Sequence, residues 1–344
     1  MKKEQVQFIE KLSNPSLKGR VPGTKGHDAA RSLIVEQFER LSLTPLFDKE
    51  WEQTYTAFNG QIGRNLIAQK KGSGEKWLLL GAHYDHIHGC PGANDNAASI
   101  GILMSVLDSL KTTKLTITIV LAIFDMEEPR YFMTNSMGSI QFYHQSQKIL
   151  NYNDFLGAYI LDLCGHNVPV KNREQSLFVI GANTCPILSK SIEFAQGNVK
   201  DLQVYRLRNR ELFHLSDNYI FDRRKIPNLF FTCGHYAYLH TPEDTFEKLN
   251  LIKISKIVSL IIHSVLNINS QFDDKSGQPL LPSGDVPLFN RKSEAAELGR
   301  FLKVELDSYH NLDRICQVLM REISKGQMMN LEKIRLTLKA MKLL

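Results

Sequence analysis

Cysteine is scarce and scattered in this chain. The five cysteines, Cys90, Cys164, Cys185, Cys233 and Cys316, are odd in number, far apart and form no CxxC pair. That excludes a dense disulfide framework and a zinc knuckle, and it favours a reducing compartment. No run of residues approaches the ~20 consecutive apolar positions a membrane helix needs. No block of like charge occurs either. Lys and Arg number 42 and Asp and Glu 36, and the resulting +6 is spread along the chain, too diffuse for a nucleic-acid surface. The opening MKKEQVQFIEKL has lysines but no apolar core, because Glu4, Gln5, Gln7 and Glu10 interrupt it. It reads as an amphipathic helix rather than a signal peptide. The expectation is a cytoplasmic protein with no membrane and no nucleic acid among its partners.

What is present is globular. At 344 residues, 43% hydrophobic and 23% charged, the chain can bury a large core without staples. Short apolar runs of strand length occur at 65–68, 77–83, 115–124, 155–163, 176–181 and 228–232. Helical spacing occurs at 28–41, 97–110, 138–149, 186–196, 217–224 and 246–266. The run LTITIVLAIF is β-branched and unbroken, which suits a strand covered on both faces. The alternation predicts an α/β domain over 1–268, with a mostly parallel central sheet and helices on both faces. Residues 269–291, rich in Pro, Gly, Ser and Asp, read as a linker. Residues 292–344 read as about three helices, a C-terminal appendage that packs on the core, forms a homodimer or restricts a cleft.

In open α/β sheets, ligands bind beyond the carboxyl ends of the strands. There the sequence delivers His83 and Asp85, then Glu127 and Glu128, then Asp162, and, after a loop, His240. Asp95 lies just before a helix. Singly, each residue has a bland explanation: an N-cap, a turn residue or a solvated charge. Together they gather imidazoles and carboxylates at one sheet edge, where adjacent like charges are costly without a cation. Oxygen and nitrogen donors without thiolate are the ligand chemistry of a hydrolytic zinc site.

The motifs carrying these residues are LKGRVPGTKGHDAARSLIVEQF, GRNLIAQ, GAHYDHIHGCPGANDNAASIG, AIFDMEEP, MGSIQF, ILDLCG, LSDNYIFDRRKIPNLF and LHTPEDTFEKL. In this order and spacing the chain resembles the zinc aminopeptidase family, whose relatives include the glutaminyl cyclases, over roughly residues 1–268. The resemblance implies two zinc ions bridged by Asp95, with His83 and Asp162 completing one site and Glu128 and His240 the other. It implies that Glu127 is the general base and that the carboxylate of Asp85 orients the His83 ring. It also implies a cis peptide between Asp95 and Asn96, and a further acidic position at Asp217, which reads equally as a helix N-cap. The expected activity is release of N-terminal residues from peptides by a zinc-activated water.

Three departures from the family pattern stand out. Leu239 occupies the place of a tyrosine that assists the oxyanion in relatives, with Tyr236 and Tyr238 nearby. The stretch PRYFMTNS after Glu128 is long and is expected to shape the substrate pocket. Asn218 replaces a histidine. On the loop after His83, a third metal or a redox switch at His86, His88 and Cys90 is weighed against residues that simply line a loop, and the second reading is preferred there and for His144, His166, His214 and His235. Glutaminyl cyclisation with a single zinc is the alternative activity. The long loop favours it, whereas HIHGCPGAND and HTPEDT favour the peptidase. A non-catalytic peptide-binding relative is expected to lose ligands or the base, and none is lost here. A carboxypeptidase-like activity would need a basic pocket, for which Arg206, Arg208 and Arg210 are available.

Overall fold

The computed structural model describes residues 1–47, 50–273, 288–306 and 309–344. Its strands are β1 (Thr44–Pro45), β2 (Glu52–Thr56), β3 (Ile62–Lys70), β4 (Trp77–His83), β5 (Thr118–Phe124), β6 (Phe155–Leu161), β7 (Ser176–Ile180), β8 (Gln203–Leu207) and β9 (Asn228–Thr232). They form one sheet in the order β1-β3-β5-β4-β6-β9-β7-β8, with β2 also on β3. The four central strands β5, β4, β6 and β9 run parallel. Antiparallel pairings flank them, where β3 meets β5 and β7 meets β9. The expected α/β fold is present, as a mixed sheet whose parallel part is its centre. Every residue of β4 is buried, as are all but the first of β5, which explains their unbroken apolar sequences.

The helices are α1 (Lys3–Leu12), α2 (Lys25–Arg40), α3 (Ala98–Leu110), α4 (Gly138–Ser146), α5 (Pro186–Gly197), α6 (Asn218–Arg223) and α7 (Leu251–Ser270). α1, α3, α5 and α7 pack on one another over one face, while α2, α4 and α6 cover the other. Contrary to the sequence expectation, α7 is long and apolar enough to cross a membrane by length and composition. Its charged and polar positions hide this from a search for unbroken runs. Ile254, Ile257, Leu260, Ile261, Val265 and Ile268 place its apolar face in the core, against α3 and α5.

The sequence reading missed β2 and β8. EQTYT is polar, and only Gln53 and Tyr55 turn inward. QVYRL is flanked by Lys200, Asp201 and Arg208, yet Val204, Tyr205 and Leu207 are buried. Beyond 274–287, the part of the expected linker outside the described residues, lie α8 (Arg291–Leu302), α9 (Leu312–Ile323) and α10 (Leu331–Ala340). α8 packs along β8. Arg173 donates to the carbonyls of Phe301 and Arg300. Arg206 pairs with Glu297, and Arg210 with Glu294. Those two arginines are therefore engaged by the appendage and do not form a carboxylate pocket.

Candidate metal centre

Four adjacent parallel strands end at one edge of the sheet. β5 leads into Glu127 and Glu128, β4 ends on His83, β6 leads into Asp162, and β9 leads through a loop to His240. Neighbouring strands lie ~4.8 Å apart, so side chains at their ends meet. Asp95 enters from the loop after β4, at a peptide bond to Asn96 that is cis.

The five expected ligands converge. His83 Nε2 lies 3.2 Å from Asp95 Oδ1 and 3.5 Å from Asp162 Oδ1. His240 Nε2 lies 3.2 Å from Asp95 Oδ2 and 3.1 Å from Glu128 Oε2. The two oxygens of Asp95 therefore serve two separate donor sets. Ligand atoms ~2.0–2.1 Å from a tetrahedral zinc are separated by about 3.3 Å, and these edges match that length. His83 Nε2 and Asp162 Oδ1 are buried with no hydrogen-bond partner, so they are free to hold an ion. Glu127 Oε2 stands slightly farther out, 3.8 Å from His83 Nε2.

The charges are strongly coupled. Burial pushes the Glu127 carboxyl well above its usual range, with His83 opposing this and Asp162 and Glu128 adding to it. Burial alone would lower His83, but Glu127 and Asp162 outweigh it and hold the ring well above its ordinary value. Burial would raise Asp95, yet His86, His240 and His83 bring it well below. Hydrogen bonds to Asp95 and Glu128 lift His240 to about 10. Asp217 is fully buried with both oxygens unpartnered, and burial lifts its carboxyl to about 7. Its side chain makes no cap bond to α6, so the N-cap explanation does not hold.

A second ring of groups fixes the first. The Asp85 carboxylate accepts the backbone N–H of Glu127 at 3.0 Å and of Glu128 at 3.1 Å. The nearer partner of His83 Nδ1 is the Asp85 backbone carbonyl at 3.2 Å; the carboxylate is 3.6 Å away. Asp85 thus holds Glu127 and Glu128 more directly than it holds the histidine. The turn after β5 is anchored by Asp125, which meets His27 Nε2 at 2.9 Å and accepts from the N–H of Arg64. Sequence reasoning gave no role to Arg20, Asp244 or His86. Arg20 is fully buried and donates to the carbonyls of Leu12, Tyr84, Pro91, Gly92 and Asp95. Asp244 accepts the N–H groups of Asn94 and Asp95. Both residues lie inside motifs that mark the resemblance, GRVPGTKGH and HTPEDT, and that was the available signal. His86 Nδ1 lies 2.5 Å from Glu128 Oε1, so the expectation of an ordinary loop residue is corrected for it.

The cleft over these groups, about 170 Å³, is lined by Phe132, Leu163, Leu215, Leu239 and His235 beside the acids and His240. Pro129 and Phe132 come from the stretch after Glu128, which therefore shapes the pocket as expected. His235, read in the sequence as an ordinary loop residue, also faces the cleft. Tyr236 stacks on His166, with centroids 4.6 Å apart. Tyr238 sits beneath the Lys248 ammonium. Neither tyrosine lines the cleft. Asn218 bonds to the Phe213 carbonyl and to Asp222, a local structural role. His88 is exposed.

Residues 65–265 match the model of peptidase family M28. The sequence is 22% identical over 228 residues to the uncharacterized protein YfbL of Escherichia coli (strain K12), covering 59% of this chain and 71% of that protein. The fold is similar to BSAP, a zinc aminopeptidase from Bacillus subtilis, with a TM-score of 0.63 and 15% identity over 83% of this chain and 98% of that one. It is similar also to Porphyromonas gingivalis glutaminyl cyclase, with a TM-score of 0.60 and 18% identity over 76% of this chain and 96% of that one.

Proposed function

The chain belongs to peptidase family M28, and on that premise we propose that it is a zinc-dependent aminopeptidase. The observation that carries the reading is the division of Asp95 between two donor sets at tetrahedral edge lengths, with Glu127 beside them. His83, Asp162 and Asp95 would hold one ion, and Glu128, His240 and Asp95 the other. Two zinc ions, when bound, would supply a lowered pKa for a water molecule and polarisation of the scissile carbonyl.

The chain's own residues do the rest. Glu127 takes the proton of the attacking water and passes it to the leaving amine. A carboxylate committed to an ion could not shuttle that proton, and the division of labour between Glu127 and Glu128 provides a free one. The Asp85 carboxylate, on both backbone N–H groups, keeps the pair in register. Phe132, Leu163, Leu215 and Leu239 line a small apolar recess suited to one apolar side chain at the peptide's N-terminus. The acids around it suit a free α-ammonium.

The test is a panel of aminoacyl-peptide substrates, with zinc content measured on the same sample. Free amino acid should be released from apolar N-termini. Glu127→Gln should keep its zinc and lose at least ~10²–10⁴ in kcat. Ammonia release from an N-terminal glutaminyl peptide, with every peptide bond intact, would overturn the reading in favour of a cyclase.

A further inference from the structure

We propose that His235 is a catalytic residue of this site, its imidazole N–H donating to the carbonyl oxygen of the scissile bond as charge gathers there. The assignment rests on the aminopeptidase reading. When water attacks, the carbonyl carbon becomes tetrahedral and its oxygen takes up the negative charge. A donor already aimed at that oxygen typically contributes about 10²–10³ in rate. The new bond joins the water oxygen to the carbonyl carbon and the carbon–nitrogen bond breaks. Glu127 carries the proton between them, so His235 gains and loses none.

Elimination within the cleft points to this residue. The lining acids can only accept when ionised. Phe132, Leu163, Leu215 and Leu239 have no hydrogen to give. His240 is held by Asp95 and Glu128. Tyr236 and Tyr238 do not line the cleft. Among the described residues lining the cleft, His235 is the side chain left with a donor, and an imidazole carries an N–H in either charge state. It is half-buried and lines the same small cleft as Asp95, Glu127 and Asp162.

The backbone around His235 is braced from behind. Gly234, before it, has φ +80° and faces the Ile323 side chain at the end of α9. A Cβ on Gly326 would fall 2.4 Å from the Ala237 nitrogen, so the two backbones are in close contact. The loop is thus pressed against the C-terminal helices, and a donor on it can be aimed before substrate arrives.

The experiment compares His235→Ala and His235→Gln with the parent, all zinc-loaded and full length. Expected for His235→Ala is a ~10²–10³-fold loss of kcat with KM within about threefold, parental zinc content and parental Tm. His235→Gln, which restores an N–H, should recover at least tenfold of that loss. Affinity for a peptide phosphinate, a tetrahedral mimic, should fall in His235→Ala alongside kcat, while affinity for the product amino acid stays put. A kcat within threefold of an active parent, or loss of zinc from the variant, overturns the assignment alone. A parent that hydrolyses no peptide overturns the aminopeptidase reading and this assignment with it.

Discussion

Chelating the metal should destabilise the protein more at high pH than at low, and the slope can be worked from the site. His86 is 1% exposed, and its neighbours matter more than its burial: burial would lower it, but Asp95, Cys90 and Glu128 raise it to about 9. In the unfolded chain an imidazole titrates near ~6.5. A raised folded-state value means that the stabilisation is complete below ~6.5 and is lost as pH climbs to about 9. Each pH unit in that window costs the metal-free protein ~1.4 kcal/mol, and the whole window ~3 kcal/mol. His240, raised by the same carboxylates, adds in the same direction. Asp217, held at about 7, has already exerted its effect below that pH. Asp85 and Asp95, held below the usual carboxylate range, titrate under the window altogether. Bound zinc takes the place of these protons, so the loaded protein is spared the loss. The stability gap between zinc-loaded and EDTA-treated protein should therefore widen by at least ~1.4 kcal/mol per pH unit from 6.5 to 9, the share of one imidazole, with His240 and His83 adding to it. With an unfolding entropy of ~2 cal/mol/K per residue, that is about 2 °C in Tm per pH unit for a chain of 344 residues. Scanning calorimetry of both forms at pH 6.5, 7.5 and 8.5 measures it. A gap that stays constant or narrows over that range would refute the reasoning.

Arg20→Met should cost at least ~3 kcal/mol in a urea titration, because it strands five buried carbonyls around the Asp95 loop. Arg20→Lys should recover little, since an ammonium cannot reproduce the guanidinium fork. Gly326→Val should lower stability by ~1–3 kcal/mol and kcat with it, because φ is +67° there and the added Cβ meets the Ala237 backbone. Unfolding curves and peptide turnover on the same preparation check both. Phe132→Ala should shift preference toward bulkier N-terminal residues by ~1–3 kcal/mol in relative kcat/KM, read from competing substrates in one reaction.

The parallel centre of the sheet was legible because strands buried on both faces must be apolar throughout, and LTITIVLAIF and WLLLGA have that form. The residues at their ends were legible because a carboxylate or imidazole directly after such a strand stands out. β2 was not, because an edge strand needs only two inward residues and its remaining positions are polar. His235 was hidden for a different reason. Its loop carries no periodicity, and its proximity to Asp162 and Asp95 is created by tertiary structure alone. Arg20 lies 64 positions from the Tyr84 carbonyl and 75 from that of Asp95, a link that no local pattern records.

The order of the strands explains why one proposed ligand, His240, needs outside support. His83 and Asp162 leave adjacent strands, β4 and β6, and so meet directly. Glu128 follows β5, whereas His240 follows β9, three strand spacings or ~14 Å across the sheet. Asp95 spans part of that gap, and the rest is covered by the loop from Thr232 to His240. A loop that long is held by few hydrogen bonds of its own, and a metal ligand at its end requires fixed placement. The contacts of Ile323 and Gly326 with Gly234 and Ala237 supply the missing wall. On the aminopeptidase reading, residues 312–329, in which the sequence shows no chemistry, therefore bear on the proposed site through the backbone they hold in place.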